Sequence, residues 1–148
     1  MKEEAILKAA KKLFSKFGFK KVSMDEIARE AGVTKKTVYV NFSSKEDLLN
    51  ELIKYELKSM KNEFESIENK SDDEGIEQGL ISLLVFRKKN NLFKVLFEEA
   101  EVLRNKSLVN SIKFIEKDVI NYISEKLNEA QKNGYIVFDN IDVLTFLI

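Results

Sequence analysis

The segment 32–46 constrains the fold more than any other part of this 148-residue sequence. Gly32 can adopt the positive φ that ends one helix, and Thr34 is a good N-cap for the next. Val38 and Phe42 are four residues apart, so they share one face of this second helix, and we expect that face to pack inward. The pattern predicts two helices joined by a tight turn, with the second running from residue 35 to about 42.

The face of the helix 35–42 that remains outside is mostly polar and cationic. Its members are Lys35, Lys36, Thr37, Tyr39, Val40 and Asn41. Ser44 and Asp47 resemble a capping box with a short acid, which predicts a further helix from Lys45. A lysine in the first turn opposes the helix dipole, so its position favours the docking of an anion such as a phosphate at this helix end.

Two more helices are predicted upstream. Residues 3–17 carry apolar side chains at helical spacing, with Phe17 as the last inward residue, and Gly18 ends the pattern. Ser23 and Glu26 then form a capping box for a short helix over 24–31. Residues 3–42 thus predict three helices, the second and third forming a helix-turn-helix, in which the helix 35–42 takes the place of the recognition helix.

The segment 6–49, about a third of the chain, resembles the DNA-binding region of the TetR family of bacterial and archaeal transcriptional regulators. The spacing of the matching residues from the second helix to the start of the fourth is specific to that region. The matching positions are Ile6, Ala10, Phe14, Gly18, Ser23, Ile27, Ala28, Ala31, Gly32, Val33, Thr34, Tyr39, Phe42, Lys45, Glu46 and Leu48.

The resemblance implies a role in DNA binding for several of these side chains and their neighbours. Thr34, Tyr39 and Lys45 would contact phosphates, and Ser23 would do so from the start of the second helix. The residues implied to face the groove or its walls are Lys35, Lys36, Thr37 and Asn41. Many family members have a small residue where Lys36 stands, so the DNA sequence bound by relatives cannot be transferred to this chain.

The absence of histidine and cysteine from the sequence excludes several kinds of site. A Ser-His hydrolase and a Glu-x-x-His di-iron centre both need histidine, and no disulfide can form. The acidic residues Glu98, Glu99 and Glu101 are therefore interpreted as solvated surface. We expect no enzyme, no cofactor and no metal site.

The formal net charge is zero, but the charges are unevenly divided along the chain. Residues 1–50 hold 11 Lys and Arg against 7 Asp and Glu, whereas residues 51–148 hold 14 against 18. The excess of positive charge therefore coincides with the helix-turn-helix, as binding of DNA requires. The lack of cysteine fits a reducing cytoplasm, and no apolar run has the length of a membrane span. We expect a cytoplasmic protein without a membrane partner.

The rest of the chain is predicted to be helical, over about 45–67, 73–89, 92–103 and 105–133, with a loop at 135–138 and a last helix after it. This gives an all-α fold with a DNA-binding domain over 1–47 and a helical ligand-binding and dimerisation domain over 48–148. The resemblance implies a small apolar or amphipathic effector, although ordinary core is the favoured interpretation of any single candidate lining residue. The candidates are Phe64, Leu83, Phe86, Phe93, Phe97, Phe114 and Tyr122.

The leading hypothesis is a ligand-responsive transcriptional regulator, specifically a repressor, that binds a near-palindromic DNA operator as a homodimer. The alternative is a helical small-molecule-binding or protein-interaction module without DNA binding. The sequence ends in the apolar run 143–148, whereas TetR-like proteins typically continue with helices that pair between subunits. Because such a run should be buried, we expect the chain to be truncated at its C-terminus.

Overall fold

Every regular element in the described part of the chain is a helix. The computed structural model describes residues 1–68, 79, 81, 82, 85, 86 and 89–134. The helices are α1 (Lys2–Phe17), α2 (Met24–Ala31), α3 (Lys35–Asn41), α4 (Lys45–Glu68), α5 (Asn91–Leu103) and α6 (Lys106–Lys132). The predicted all-α fold class is confirmed. Within the described ranges, none of these helices is both long and apolar enough to cross a membrane.

Capping by side chains explains where α2 and α4 begin. The hydroxyl of Ser23 accepts the N–H of Glu26 at 3.1 Å, and the Glu26 carboxylate accepts the N–H of Ser23 at 3.4 Å, so the predicted capping box is present. Before α4, the Ser44 hydroxyl accepts the N–H of Asp47 at 3.0 Å. The Asp47 carboxylate reaches the N–H of Ser43 at 3.1 Å, one residue before the position used in a standard capping box.

The turn between α2 and α3 depends on a glycine. Gly32 has φ 71° and ψ 30°, in the left-handed region that glycine adopts without strain. Its N–H donates to the carbonyl of Arg29 and the N–H of Val33 donates to the carbonyl of Ala28. These two bonds form a Schellman motif, which ends α2 and lets Thr34 begin α3 after one intervening residue.

The chain divides into two compact units, and α4 and α6 each contribute residues to both. The first contains residues 1–56 and 90–112, and the second is drawn from residues 57–89 and from residue 113 onward. In the first unit α1 contacts α2, α3 and α5. Its largest fully buried side chains are Ile6, Phe14, Ile27, Phe42, Leu48, Leu49, Leu52, Ile53, Leu92, Leu96 and Leu108. Burial of such a side chain contributes about 1.5–3 kcal/mol, so these residues hold the helices together.

In the second unit, Phe64 of α4 packs against Tyr122 of α6. The two rings lie edge to face, with centroids 5.7 Å apart. The Tyr122 hydroxyl donates to the carbonyl of Lys61 at 3.4 Å, and the Lys61 ammonium lies 2.9 Å from the Asp118 carboxylate. A Cβ at Gly79 would lie 2.6 Å from the Phe64 ring, so the missing side chain permits this close approach.

Two details of the sequence interpretation are corrected. Phe17 was expected to face inward but is 50% exposed, because the chain turns at Gly18 and Phe19 packs on Phe14 instead, with ring centroids 5.5 Å apart. The helix predicted over 105–133 begins at residue 106, because the Asn105 side chain accepts the N–H of Leu108 at 3.1 Å and so acts as N-cap.

Some predicted elements are not tested. Most of the predicted helix 73–89, the loop at 135–138 and the last helix lie outside the described residues. The division into domains over 1–47 and 48–148 also stays a prediction. The chain passes from one compact unit to the other within α4 and again within α6, and α5 belongs to the first unit.

Candidate nucleic-acid interface

α3 is anchored by one face and exposes the other. Val38 is fully buried, and Phe42, directly after the helix, is 1% exposed. In contrast, Val40 is 75% exposed and Tyr39 is 45% exposed. Since a helix of 7 residues is not stable alone, its buried face must hold it in place. The side chains at 35, 36, 39, 40 and 41 are thereby exposed on a supported helix, and Thr37 is half-buried.

The polar groups at the two ends of α3 bond locally. The Thr34 hydroxyl accepts the N–H of Thr37 at 3.1 Å and lies 2.9 Å from the Thr37 hydroxyl. The Asn41 amide donates to the carbonyl of Thr37 at 2.8 Å. One of the two threonine hydroxyl hydrogens and the Asn41 side-chain oxygen remain available. These groups can therefore contact a phosphate or a base edge without disrupting the helix.

The two lysines of α3 are both available to a partner. The Lys35 ammonium lies 3.3 Å from the Asp25 carboxylate, but both side chains are more than half exposed. An exposed pair of this kind contributes about 0–1 kcal/mol, so a phosphate can compete for Lys35. Lys36 is exposed and makes no hydrogen bond or ion pair within the described ranges. Ser23 is exposed as well, at the N-terminus of α2, where the helix dipole favours an anion.

Lys45 is engaged inside the protein. Its ammonium donates to the carbonyls of Phe19 at 2.9 Å, Lys20 at 3.3 Å and Val22 at 3.1 Å, and it lies 4.3 Å from the centroid of the Phe19 ring. An ammonium has three N–H donors, so these carbonyls occupy all of them. This explains why a lysine stands in the first turn of α4 against the helix dipole. The phosphate contact that the resemblance implies for Lys45 is untested, and the bonds to the loop carbonyls lead us to expect none.

The interpretation of Glu99 as solvated surface is wrong. Its carboxylate accepts the N–H of Phe19 at 2.6 Å and the N–H of Lys20 at 2.8 Å. Glu98 and Glu101 are exposed, as expected. No local pattern distinguishes the three acids, because the contact arises only when α5 packs against α1.

The residues predicted to line an effector pocket are unevenly placed. Phe64, Phe93 and Tyr122 are buried, whereas Phe114 is 48% exposed. Phe86 and Phe97 are half-buried, and Leu83 lies outside the described residues. Phe93 and Phe97 belong to the first compact unit, and the other described candidates belong to the second. The pocket stays a prediction.

A surface groove of about 400 Å³ lies elsewhere, on the first unit. Its lining residues are Leu13, Phe17, Lys21, Glu26, Arg29 and Glu30. None of these residues is among the predicted effector contacts, and the groove is open to solvent on the surface of α1 and α2. It therefore gives no support to the predicted pocket.

Known proteins similar to this chain are regulators with a helix-turn-helix. The sequence model of the bacterial regulatory proteins of the tetR family matches residues 6–52. YhgD of Bacillus subtilis strain 168, an uncharacterised HTH-type transcriptional regulator, is 32% identical over 137 residues, which is 91% of this chain and 72% of YhgD. UidR of Escherichia coli K12, an HTH-type transcriptional regulator, is 26% identical over 134 residues, which is 88% of this chain and 67% of UidR.

A solved structure shares the fold. The fatty acid degradation regulator FadR from Bacillus halodurans superposes with a TM-score of 0.75, over 95% of this chain and 77% of that one, at 24% identity. At that identity the likeness concerns the fold alone. The family match, however, covers α1, α2, α3 and the start of α4, which are the elements that carry the exposed polar face. The chain belongs to the TetR family of transcriptional regulators, which bind DNA through this helix-turn-helix.

Proposed function

We propose that this regulator is a ligand-responsive repressor that acts in the cytoplasm and binds a near-palindromic operator as a homodimer, with α3 as the recognition helix. The observation that supports this most is the division of α3 into two faces. Val38 and, directly after the helix, Phe42 are buried, while Lys35 and Lys36 are exposed. A recognition helix needs both faces, because one fixes it to its supporting helix and the other enters the major groove.

The exposed side chains have different roles in this proposal. Lys36 reads a base, since it is exposed and a lysine can donate to the O6 and N7 atoms of guanine. Lys35 contacts a phosphate on the groove wall, in exchange for its weak pairing with Asp25. The other proposed contacts are Ser23, Thr34, Thr37, Tyr39 and Asn41. Phosphate contacts fix the register and supply affinity, whereas base contacts supply specificity.

Dimerisation and effector binding complete the proposal. Two copies of α3 would enter successive major grooves about 34–36 Å apart, which requires a near-palindromic site. An apolar or amphipathic effector acts by binding more tightly to one separation of the two heads than to the other. A coupling free energy of about 1–3 kcal/mol would change operator affinity roughly 5- to 150-fold. α4 is the proposed connection, because it supplies residues to both compact units.

A selection of random duplex DNA on the purified protein tests the proposal. The matched control is Lys36→Ala/Tyr39→Ala, since both side chains are exposed and their removal leaves the core intact. We expect the wild-type chain to enrich a near-palindromic sequence that the control does not retain. Equal enrichment by the control would contradict the role of α3.

Two further results bear on the finer parts of the proposal. A wild-type chain that enriches no sequence and binds DNA only weakly would favour the alternative, a ligand-binding or interaction module. For the effector, the measurement is operator affinity with and without the compound. A compound that binds tightly but leaves this affinity unchanged would contradict its assignment as effector.

A further inference from the structure

The loop between α1 and α2, residues 18–22, is held by side chains from two other helices. From α5, the Glu99 carboxylate accepts the N–H groups of Phe19 and Lys20 at 2.6 and 2.8 Å. From α4, Lys45 donates to the carbonyls of Phe19, Lys20 and Val22. Two N–H groups of the loop are thereby paired by an acidic side chain, and three of its carbonyls by a basic one.

Gly18 makes room for the carboxylate. Its φ is 84°, and a Cβ built on it would lie 2.8 Å from one carboxylate oxygen of Glu99. Successive backbone N–H groups that point at one anion form a recognised kind of anion site, and hydrogen bonds to a charged acceptor are stronger than neutral ones. The Glu99 carboxylate therefore lies directly against Gly18, and a side chain at residue 18 would displace the carboxylate.

The helix that carries Glu99 is itself fixed at its N-terminus. Glu56 of α4 is 2% exposed, and its carboxylate lies 3.0 Å from the Lys11 ammonium and accepts from the Asn90 amide at 3.1 Å. The amide of Asn91 donates to a carbonyl near the end of α1 at 2.9 Å. The N-terminus of α5 is thus bonded to α4 and α1, and Glu99 contacts the loop from the C-terminal half of α5.

We propose that Glu99 is a positioning residue for DNA binding, acting through the loop 18–22 without contacting DNA itself. The loop leads directly into Ser23, the N-cap of α2, and α2 continues through the Gly32 turn to α3. Holding the loop therefore holds the helix-turn-helix in the arrangement that presents α3. The inference rests on the proposed role of α3 as recognition helix.

The direction in which Glu99→Gln changes the affinity for DNA distinguishes a positioning residue from an ordinary surface acid. Removing a negative charge from a DNA-binding surface raises or maintains affinity, because phosphate repulsion is relieved. If Glu99 positions the loop, Glu99→Gln lowers affinity, because its amide has only one acceptor oxygen for two N–H donors. Glu101→Gln is the matched control on the same helix, since Glu101 is exposed and has no described partner.

The test measures the affinity of the full chain for the duplex enriched in the selection above. We expect Glu99→Gln to bind roughly tenfold more weakly than Glu101→Gln. This is the loss expected if only about a tenth of the Glu99→Gln molecules have the helix-turn-helix in the arrangement that binds DNA. Glu99→Ala should bind more weakly still. In NMR amide exchange, Phe19 and Lys20 should lose protection in Glu99→Gln, while buried amides of α1 and α4 keep theirs.

A second variant disturbs the contact between Glu99 and the loop by changing the loop instead of the carboxylate. Gly18→Ala should displace the carboxylate, so adding Glu99→Gln to it should cause little further loss of affinity. The inference is overturned if Glu99→Gln binds as tightly as Glu101→Gln, or if affinity falls only in step with general loss of amide protection. A wild-type chain that retains no duplex would contradict the proposed function itself, and with it this inference.

Discussion

The charged side chains on the outer face of α3 and those that contact the loop 18–22 differ in how many hydrogen bonds they make within the protein. Lys35 and Lys36 are exposed, and the only described partner of either is the exposed Asp25. Lys45 and Glu99 are bonded to several backbone groups of the loop. If α3 is the recognition helix, we expect these two kinds of charged side chain to differ in their contact with DNA. We expect a charge whose hydrogen bonds are already made within the protein to support the fold, and an exposed charge without such bonds to be available to DNA.

The largest expected effect concerns Phe42, the buried residue directly after α3. Phe42→Ala removes a side chain that is 1% exposed, and we expect the free energy of unfolding to fall by about 3–5 kcal/mol. Chemical denaturation followed by circular dichroism measures this change. Val40→Ala is the control, because Val40 is 75% exposed and its loss should change stability by less than about 0.5 kcal/mol. Equal effects of the two would show that α3 is not anchored through Phe42.

A smaller effect is expected when Lys45 loses its charge. Lys45→Met keeps an unbranched side chain but removes the donors to three loop carbonyls, so the free energy of unfolding should fall by about 2 kcal/mol. Lys36→Met is the matched control and should leave stability unchanged, since Lys36 has no described partner. The same denaturation experiment measures both. A Lys45→Met protein as stable as the control would show that the bonds to the loop carbonyls contribute nothing to the fold.

Local signals in the sequence predicted the helix-turn-helix correctly. Ser23, Gly32 and Thr34 act through atoms no more than a few residues away, so their roles follow from residue type and spacing. The inward positions of Val38 and Phe42 follow from helical periodicity in the same way. The residues that carry these signals all lie within the segment 23–42.

Tertiary packing decided the features that the sequence did not reveal. Glu99 lies 80 residues from Phe19, so nothing near it in sequence marks it as different from Glu98 or Glu101. The sequence marked Lys45 as unusual in the first turn of α4 and predicted a phosphate contact, whereas the carbonyls to which it donates lie more than 20 residues earlier. Such contacts appear only when the helices are assembled.

The most direct test of the account is the salt dependence of operator binding in two lysine variants. Loss of one phosphate contact lowers the slope of log K against log salt concentration by about 0.9. We predict that Lys35→Met lowers the magnitude of the slope by this amount, because Lys35 is exposed and weakly paired. Lys45→Met should weaken binding on every sequence but leave the slope unchanged. A lower slope in Lys45→Met with an unchanged slope in Lys35→Met would contradict the account, because it would make Lys45 the phosphate contact and Lys35 a bystander.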